Sequence, residues 1–480
     1  MQDKATALLM NHTIEFSPSS LEAKRVLRKI DLRIMPLVII IYTIMLMDKN
    51  ALSFAAIMGI RDDANLTGSQ YSWLGSLVYF GYLFGEIPAA FLMQRLPLRQ
   101  YFGCMSMLWG VVVAMHALCR DFKSLAACRF FLGAIEVCTA PVVIMILGAW
   151  YTRDEQIKRV AVWYTSSGMG NFFGAFFAWC IYQANAFRWE ALFIFYGCLT
   201  LAIGFVLFFT LAASPTDALW LTDKEKAIAL ERVRINNTGT EIWKFNMAQL
   251  KEAFMDIRLY LIFMLLVSSG IPNGGITVFG PTIIAGFGYS TEQTILLSMA
   301  PGAAGIVGVG AAWLVAKYTN RTIGGLFPLV LSCIGVVMMF ALPVQDYAER
   351  YGGYILTLQF PISVLFVVTF MTAGVAGSTK KIAFGAAYQM GYTVGNLIGP
   401  QTYRSSDAPN YYTAKYTMLA FIIFTMFLLG GIGLTHWHWN KQRAQQDTID
   451  VQDNTLHNIS GIEGFDDVTD FQQKAFKYPL

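Results

Sequence analysis

The sequence predicts an all-α membrane protein: twelve spanning helices in two six-helix halves. Three observations carry this expectation. Of 480 residues, 55% are hydrophobic and only 14% charged, with a mean hydropathy of +0.49, whereas soluble domains carry about 25% charge. Apolar segments of spanning length recur along the chain, six before a hydrophilic stretch at about 213–258 and six after it. Most of the 35 Lys and Arg residues also fall on one side of the implied membrane.

A hydrocarbon core of ~30 Å needs about 20 apolar residues per helix. Such segments lie near 34–58, 72–93, 102–119, 125–149, 160–182 and 191–212, then 259–285, 294–316, 324–343, 355–377, 383–399 and 416–439. The expected organisation is an N-terminal tail (1–33), an N-terminal half (34–212), a linker (213–258), a C-terminal half (259–439) and a C-terminal tail (440–480). The N-terminal tail ends in a basic run (Lys24, Arg25, Arg28, Lys29, Arg33), and the full-length apolar stretch behind it lacks a cleavage pattern, so it does not read as a signal peptide. The C-terminal tail is polar, rich in Asp and Gln, and expected to be disordered.

With both termini cytoplasmic, the other side holds only Arg61, Arg120, Lys123, Arg188, Arg350, Arg404 and Lys415, the bias that sets orientation. In the linker, Thr222 and Glu225 form a capping box whose helix should end at Asn236-Asn237-Thr238-Gly239. A second start at Asn246, with Gln249, leads into the seventh span.

A charge in lipid costs at least ~2.5–3.5 kcal/mol, so those that persist face a cavity or a partner. Asp48 and Lys49 lie in the first span, Glu86 in the second, Arg129 and Glu136 in the fourth, and none in spans seven to twelve. Counting about 1.5 Å per residue from the outer helix ends puts Lys49 and Glu136 at nearly the same depth, with Arg129 shallower. Arg129 and Glu136 share a helix face, with Gly133 between them allowing close approach. Glu136, Asp48 and Arg129 are the candidates for proton coupling, set against a fixed ion-pair network that only locks helices together. Glu86, just before Pro88, suits gating or packing.

Pro272-Asn273-Gly274-Gly275 reads as a break at the centre of span seven, matching Asp48-Lys49-Asn50 in span one. Paired interruptions point to a transport site, and Lys49 and Asn273 are the expected substrate contacts. Tyr388, Tyr392 and Asn396 form a polar stripe on span eleven, suited to cavity lining or to interhelical hydrogen bonds. His116 reads as a packer and His436 and His438 as interfacial. The seven cysteines read as core packers, with Cys119 and Cys128 near each other at a hairpin. The small net charge of +4 gives nucleic-acid binding no support, and no phosphate loop, metal cluster or nucleophile triad gives an enzyme a foothold. No cofactor or metal is expected.

The chain resembles the fungal allantoate permease family, in the anion:cation symporter branch of the major facilitator superfamily. The likeness runs from about 30 to 440 and rests on Met47-Asp48-Lys49 with ALSFAAIMGIRDD, QYSWLGSLVYFGYLFGE (70–86), QRLPLRQYFG (94–103), RFFLGAIEVCTAP (129–141), AWYTRDEQ (149–156) and RWEALF (188–193). It continues through IPNGGITVFGPTIIAGFGYS (271–290) and GSTKKIAFGAAYQMGYTVGNLIGPQTYRSSDAPNYY (377–412). The stretch 94–99 lacks the acidic residue of the superfamily's gating signature but keeps Arg95, and 236–241 matches only loosely.

The resemblance implies the major facilitator fold and proton-coupled import of a small organic anion: allantoate- or ureidosuccinate-like, nicotinate or another vitamin-like carboxylate, or a sulfur compound. It implies a monomer in the plasma membrane, with Asp48, Lys49, Arg129 and Glu136 as the family's charged motifs. The alternatives are an exporter of a secondary metabolite and a nutrient sensor that binds without transporting. Span five carries Gly168, Gly170 and Gly174 but no proline, which favours import over proton antiport, and the modest C-terminal tail speaks against a sensor.

Overall fold

In a computed structural model the described residues are 21–184, 188–234, 246–452, 468–473 and 476–479. The expected turn at Asn236–Gly239, and the stretch on to Glu241, lie outside them. The α-helices of seven or more residues, in chain order, are α1 (Leu21–Met58), α2 (Gln70–Arg95), α3 (Leu98–Met115), α4 (Phe122–Glu136), α5 (Thr139–Trp150), α6 (Arg153–Gln183), α7 (Arg188–Thr210) and α8 (Asp223–Arg234). Then follow α9 (Met247–Met255), α10 (Ile257–Ala285), α11 (Thr291–Leu297), α12 (Ala300–Tyr318), α13 (Arg321–Ala341), α14 (Tyr347–Thr357), α15 (Ile362–Gly374), α16 (Ser378–Ile398) and α17 (Tyr412–Gln452).

Among the described residues, 10 stretches are long and apolar enough to cross a membrane, with α4–α5, α11–α12 and α14–α15 each forming one stretch. Helices α6 and α16 occupy the other two expected positions. Outward faces are greasy, as lipid requires: Ile87 is 79% exposed and Phe427 73%.

The chain divides into two compact units, residues 1–242 with 291–302 and residues 243–290 with 303–480. In the first unit, helix pairs pack through small residues. A Cβ on Gly110 would sit 2.6 Å from the Leu201 nitrogen and one on Gly197 2.7 Å from the Ala114 nitrogen, so α3 and α7 approach backbone to backbone. Gly133 lies equally hard against the Val78 carbonyl, joining α4 to α2. The linker capping box forms as expected: Glu225 accepts from the Thr222 amide at 2.9 Å, and Thr222 Oγ1 accepts from the Glu225 amide at 3.3 Å. Glu225 also accepts from Lys29 Nζ at 2.8 Å, and that hydrogen bond holds its carboxyl below the ordinary value.

Several expectations are corrected. Helix α10 runs unbroken through Pro272, and α1 runs unbroken through Asp48-Lys49-Asn50. The glycines of α10 serve close packing instead, since a Cβ on Gly274 would lie 2.5 Å from the Asn396 carbonyl oxygen of α16. The chain breaks elsewhere, between Glu136 and Thr139. Continuing one helix there would drive the Pro141 ring into the Val137 carbonyl, whereas Pro141 in the first turn of a new helix is tolerated.

Asn246 caps α9 by accepting from the Ala248 amide at 2.9 Å, but Gln249 accepts from the Thr379 amide at 2.9 Å rather than completing a box. Of the cysteines, Cys104 and Cys198 are exposed and do not pack a core. The Cys119 and Cys128 sulfurs lie 3.6 Å apart, as the hairpin suggested.

The C-terminal tail is not uniformly unstructured. Helix α17 continues past Trp439 to Gln452, and residues 468–473 and 476–479 fold back on the second unit through buried polar contacts. His436 is consequently buried rather than interfacial, 1% exposed, with Nδ1 donating to the Pro479 carbonyl at 2.7 Å.

Candidate functional site

In the first unit the tightly packed α1, α2, α4 and α7 bring the in-span charges together. Glu136 is the last residue of α4, held there by the break that Pro141 imposes. A carboxylate at a helix C-terminus opposes the helix dipole, so it needs compensation. Lys49 supplies it, with Nζ 3.7 Å from Glu136 Oε1, and Tyr82 Oη donates to the same oxygen at 2.6 Å. The Lys49 ammonium also lies 5.0 Å from the centre of the Tyr82 ring. Glu136 Oε2 has no hydrogen-bond partner among the described residues. The Glu136 side chain is fully enclosed, while that of Lys49 is 15% exposed.

Asp48, beside Lys49 in sequence, faces the other way and makes no ion pair among the described residues. Its Oδ2 lies 3.1 Å from Thr200 Oγ1, which is also 2.9 Å from the Tyr196 carbonyl. The Thr200 hydroxyl is thus shared between the Asp48 carboxyl and the Tyr196 carbonyl. The other Asp48 oxygen, Oδ1, is unpartnered among the described residues. Arg129 is buried to 2% exposure, with its guanidinium carbon 5.8 Å from the Phe193 ring centre. Its Nε and Nη2 make no hydrogen bond, and no carboxylate reaches it within ion-pair distance among the described residues. The expected Arg129–Glu136 proximity is thus long-range, and Lys49 is the direct partner.

His116, stacked on the same Phe193 ring at 4.9 Å, gives Nδ1 to the Val112 carbonyl at 2.9 Å, the packing role expected of it. Glu86 is half-buried on α2. Arg95 is exposed at the end of α2, its guanidinium 4.1 Å from the Phe91 ring centre. An apolar hollow lined by Phe84, Pro88, Leu92, Met105 and Phe131 opens on this unit, and none of the charged residues borders it.

In the second unit α10 and α16 bring three of the expected polar residues together. Asn273 Nδ2 donates to Asn396 Oδ1 at 2.7 Å and to Tyr392 Oη at 3.1 Å, while Asn396 Nδ2 donates to the Tyr392 carbonyl at 2.7 Å. Gly270 and Gly274 make this possible by letting the two backbones touch at Gly395 and Asn396. Tyr388, one turn earlier, is half-buried.

Sequence reasoning missed a second charge cluster. Arg258 and Lys380, counted as loop residues, are 1% and 0% exposed at the helix ends nearest the linker. Lys380 Nζ contacts Glu252, Asp256 and Asp470 at 2.8, 3.1 and 2.9 Å, and Arg258 pairs with Asp256 and Asp470 at 2.6 Å each. At the other end, Arg350 and Lys415 are also buried, both against the Phe287 ring. The signal available in the sequence was a basic residue abutting a long apolar run.

Comparison with known proteins agrees with this architecture. The Major Facilitator Superfamily model matches residues 38–400. Allantoate permease of Saccharomyces cerevisiae is 31% identical over 97% of this chain and 88% of its own. A thiamine pathway transporter of the same yeast is 30% identical over 95% of this chain and 86% of its own. Among solved structures, a bacterial homologue of the human lysosomal transporter Spinster, in an inward-facing, unoccupied conformation, superposes with a TM-score of 0.65 at 14% identity, over 87% of this chain and 97% of that one. That likeness shows the fold alone. The chain is therefore a multi-pass secondary transporter, not an enzyme, and belongs to the major facilitator superfamily in the fungal group that includes allantoate permease.

Proposed function

We propose that this transporter imports a small organic anion together with protons. The observation that carries the reading is the Lys49–Glu136 pair, a cation partly open to a solute and matched to a wholly enclosed carboxylate. An anion in a membrane interior needs a compensating cation, because an unpaired buried charge is far costlier than a paired one. An arriving carboxylate competes with Glu136 for Lys49, and the released Glu136, enclosed and without a cation, is then neutralised by a proton. Substrate and proton thus enter together. Asp48, buried and without an ion-pair partner among the described residues, is the second candidate carrier, and Arg129 supplies a fixed positive field nearby.

In the second unit, Asn273, Tyr392 and Asn396, with Tyr388 beside them, offer neutral hydrogen bonds for the polar remainder of a substrate. Glu86 and Arg95 are assigned to gating. The allantoate permease relative supports a ureido-carboxylate and a place in the plasma membrane, the thiamine pathway relative supports a vitamin-related solute, and we read the transporter as a monomer. The distribution of Lys and Arg supports cytoplasmic termini.

The test is uptake by a yeast strain lacking its own anion permeases, across a panel of organic anions at several external pH values. Import with protons requires accumulation that rises as external pH falls and collapses with a protonophore. Efflux with the opposite pH dependence would make the protein an exporter, and binding without flux would make it a sensor.

A further inference from the structure

The buried contacts of the C-terminal segment are unusual for a tail. Asp470 reaches Arg258 Nη2 at 2.6 Å and Lys380 Nζ at 2.9 Å, and accepts from the Ala376 amide at 3.2 Å and from Tyr478 Oη at 3.0 Å. Thr469 Oγ1 donates to Glu252 at 2.8 Å. Phe471 lies over the Lys380 ammonium, 3.7 Å from its ring centre, and against Trp439 at 5.2 Å. Asn440 meets the Tyr478 backbone at both its nitrogen and its oxygen, each at 2.9 Å. Arg443 donates to the Asp470 carbonyl at 2.7 Å. These partners come from α9, the start of α10, the α15–α16 junction and α17, so the segment occupies a socket with walls on four sides.

Charge balance separates a detachable occupant from a permanent piece of the core. The socket's two buried cations, Arg258 and Lys380, already face two resident carboxylates, Asp256 and Glu252. If Asp470 leaves, neither cation is stranded, and Asp470 regains water. Breaking a buried pair is severely destabilising only when it leaves an uncompensated charge. While docked, Asp470 is nonetheless well held: burial by itself would raise its carboxyl, but Arg258 and Lys380 bring it below the ordinary value. A tethered ligand acts at a high effective concentration, so it stays bound at an intrinsic affinity that still permits release.

We propose that this end of the second unit is a binding site for an acidic, aromatic peptide, and that its resident ligand is the chain's own segment 468–479, docked reversibly. Asp470 is the anchor in the Arg258–Lys380 socket, Phe471 covers the Lys380 ammonium, and Tyr478 closes the site over Asp470 and Asn440. On the proposed orientation the site faces the cytosol, where another peptide with an Asp-aromatic pair could compete for it.

The full chain, purified with a protease site placed within 453–467, lets the segment be severed after folding. A fluorescein-labelled peptide of residues 468–480 is then added in excess. The expected result is exchange: the severed fragment appears in the flow-through, the labelled peptide binds saturably, and the transporter stays monodisperse. A peptide carrying Asp470→Asn should bind at least tenfold more weakly, and one carrying Tyr478→Phe should also lose affinity. These changes sit in the ligand, so they cannot disturb folding of the transporter. A fragment that stays bound through prolonged chase, a transporter that aggregates once the fragment is gone, or an Asp470→Asn peptide that binds as tightly as the natural one would each overturn the proposal.

Discussion

Replacing Lys49 by alanine tests the anion-import reading at its centre. The ammonium lies 3.7 Å from Glu136 Oε1 with 15% of its side chain exposed, so the pair is screened partly by protein and partly by water. At that separation two unit charges interact by about 4 kcal/mol at an effective dielectric of 20, and a bound carboxylate taking Glu136's place should gain a similar amount. Binding exchanges one pairing for the other, so the net loss in Lys49→Ala is smaller than the full Coulomb figure. Truncating one partner of a buried charge pair costs roughly 2–5 kcal/mol, and the lower part of that range applies here. A loss of about 2–3 kcal/mol is a weakening of roughly 30- to 150-fold.

Lys49→Arg should recover part of the affinity, because the charge persists while its shape and hydration change. Glu136→Gln should act in the opposite direction, since Lys49 is then free for the substrate, and the double variant should depart from additivity by more than about 0.5 kcal/mol. The assay is direct binding of the anion to purified variants, by calorimetry or ligand-dependent thermal shift, at fixed pH. If Lys49→Ala binds the anion as tightly as the parent, Lys49 only joins α1 to α4 and the proposed mechanism is wrong.

Glu136→Gln should abolish uphill accumulation while preserving substrate exchange, read as counterflow in proteoliposomes, and undiminished accumulation would move coupling to Asp48 or Glu86. Gly133→Val places atoms on the Val78 carbonyl and should separate α2 from α4, seen as loss of the monodisperse peak in fluorescence-detected size exclusion, whereas Gly148→Ala, where a Cβ meets nothing within 4 Å, should leave that peak intact. Tags at either terminus should be inaccessible on intact cells and become accessible on permeabilisation, and staining of a C-terminal tag on intact cells would reverse the proposed orientation.

How much of this was legible beforehand follows from the solvent. In lipid every backbone polar group must be satisfied within the helix, so spanning segments announce themselves as apolar runs, and the helices fell where those runs were. The same solvent makes in-span charges conspicuous, and helical rise alone put Lys49 and Glu136 at one depth. Rise and periodicity fix depth and face, but not which neighbour a face meets. That Asp48 turns to Thr200 while Lys49 turns to Glu136, and that Arg129 meets no carboxylate among the described residues, was decided by rotation and approach of the helices, set at contacts such as Gly133 on Val78 and Gly110 on Leu201.

Local signals misled where packing outweighed them. Pro272-Asn273-Gly274-Gly275 looks like a break, yet the glycines are occupied in bringing α16 close and the helix continues, whereas at Pro141 one helix ends at Glu136 and a new one begins at Thr139. The polar tail offered no periodicity to read. Its docking depends on Asp470 meeting Arg258 and Lys380, residues remote in sequence that are brought together by the fold, and loop charges become buried ones only when a distant segment covers them. Hydropathy along the chain settles what must lie in the membrane and which charges have to be explained there. Which of those charges meet is settled only when the helices pack, because pairing depends on distances between helices that no single helix encodes.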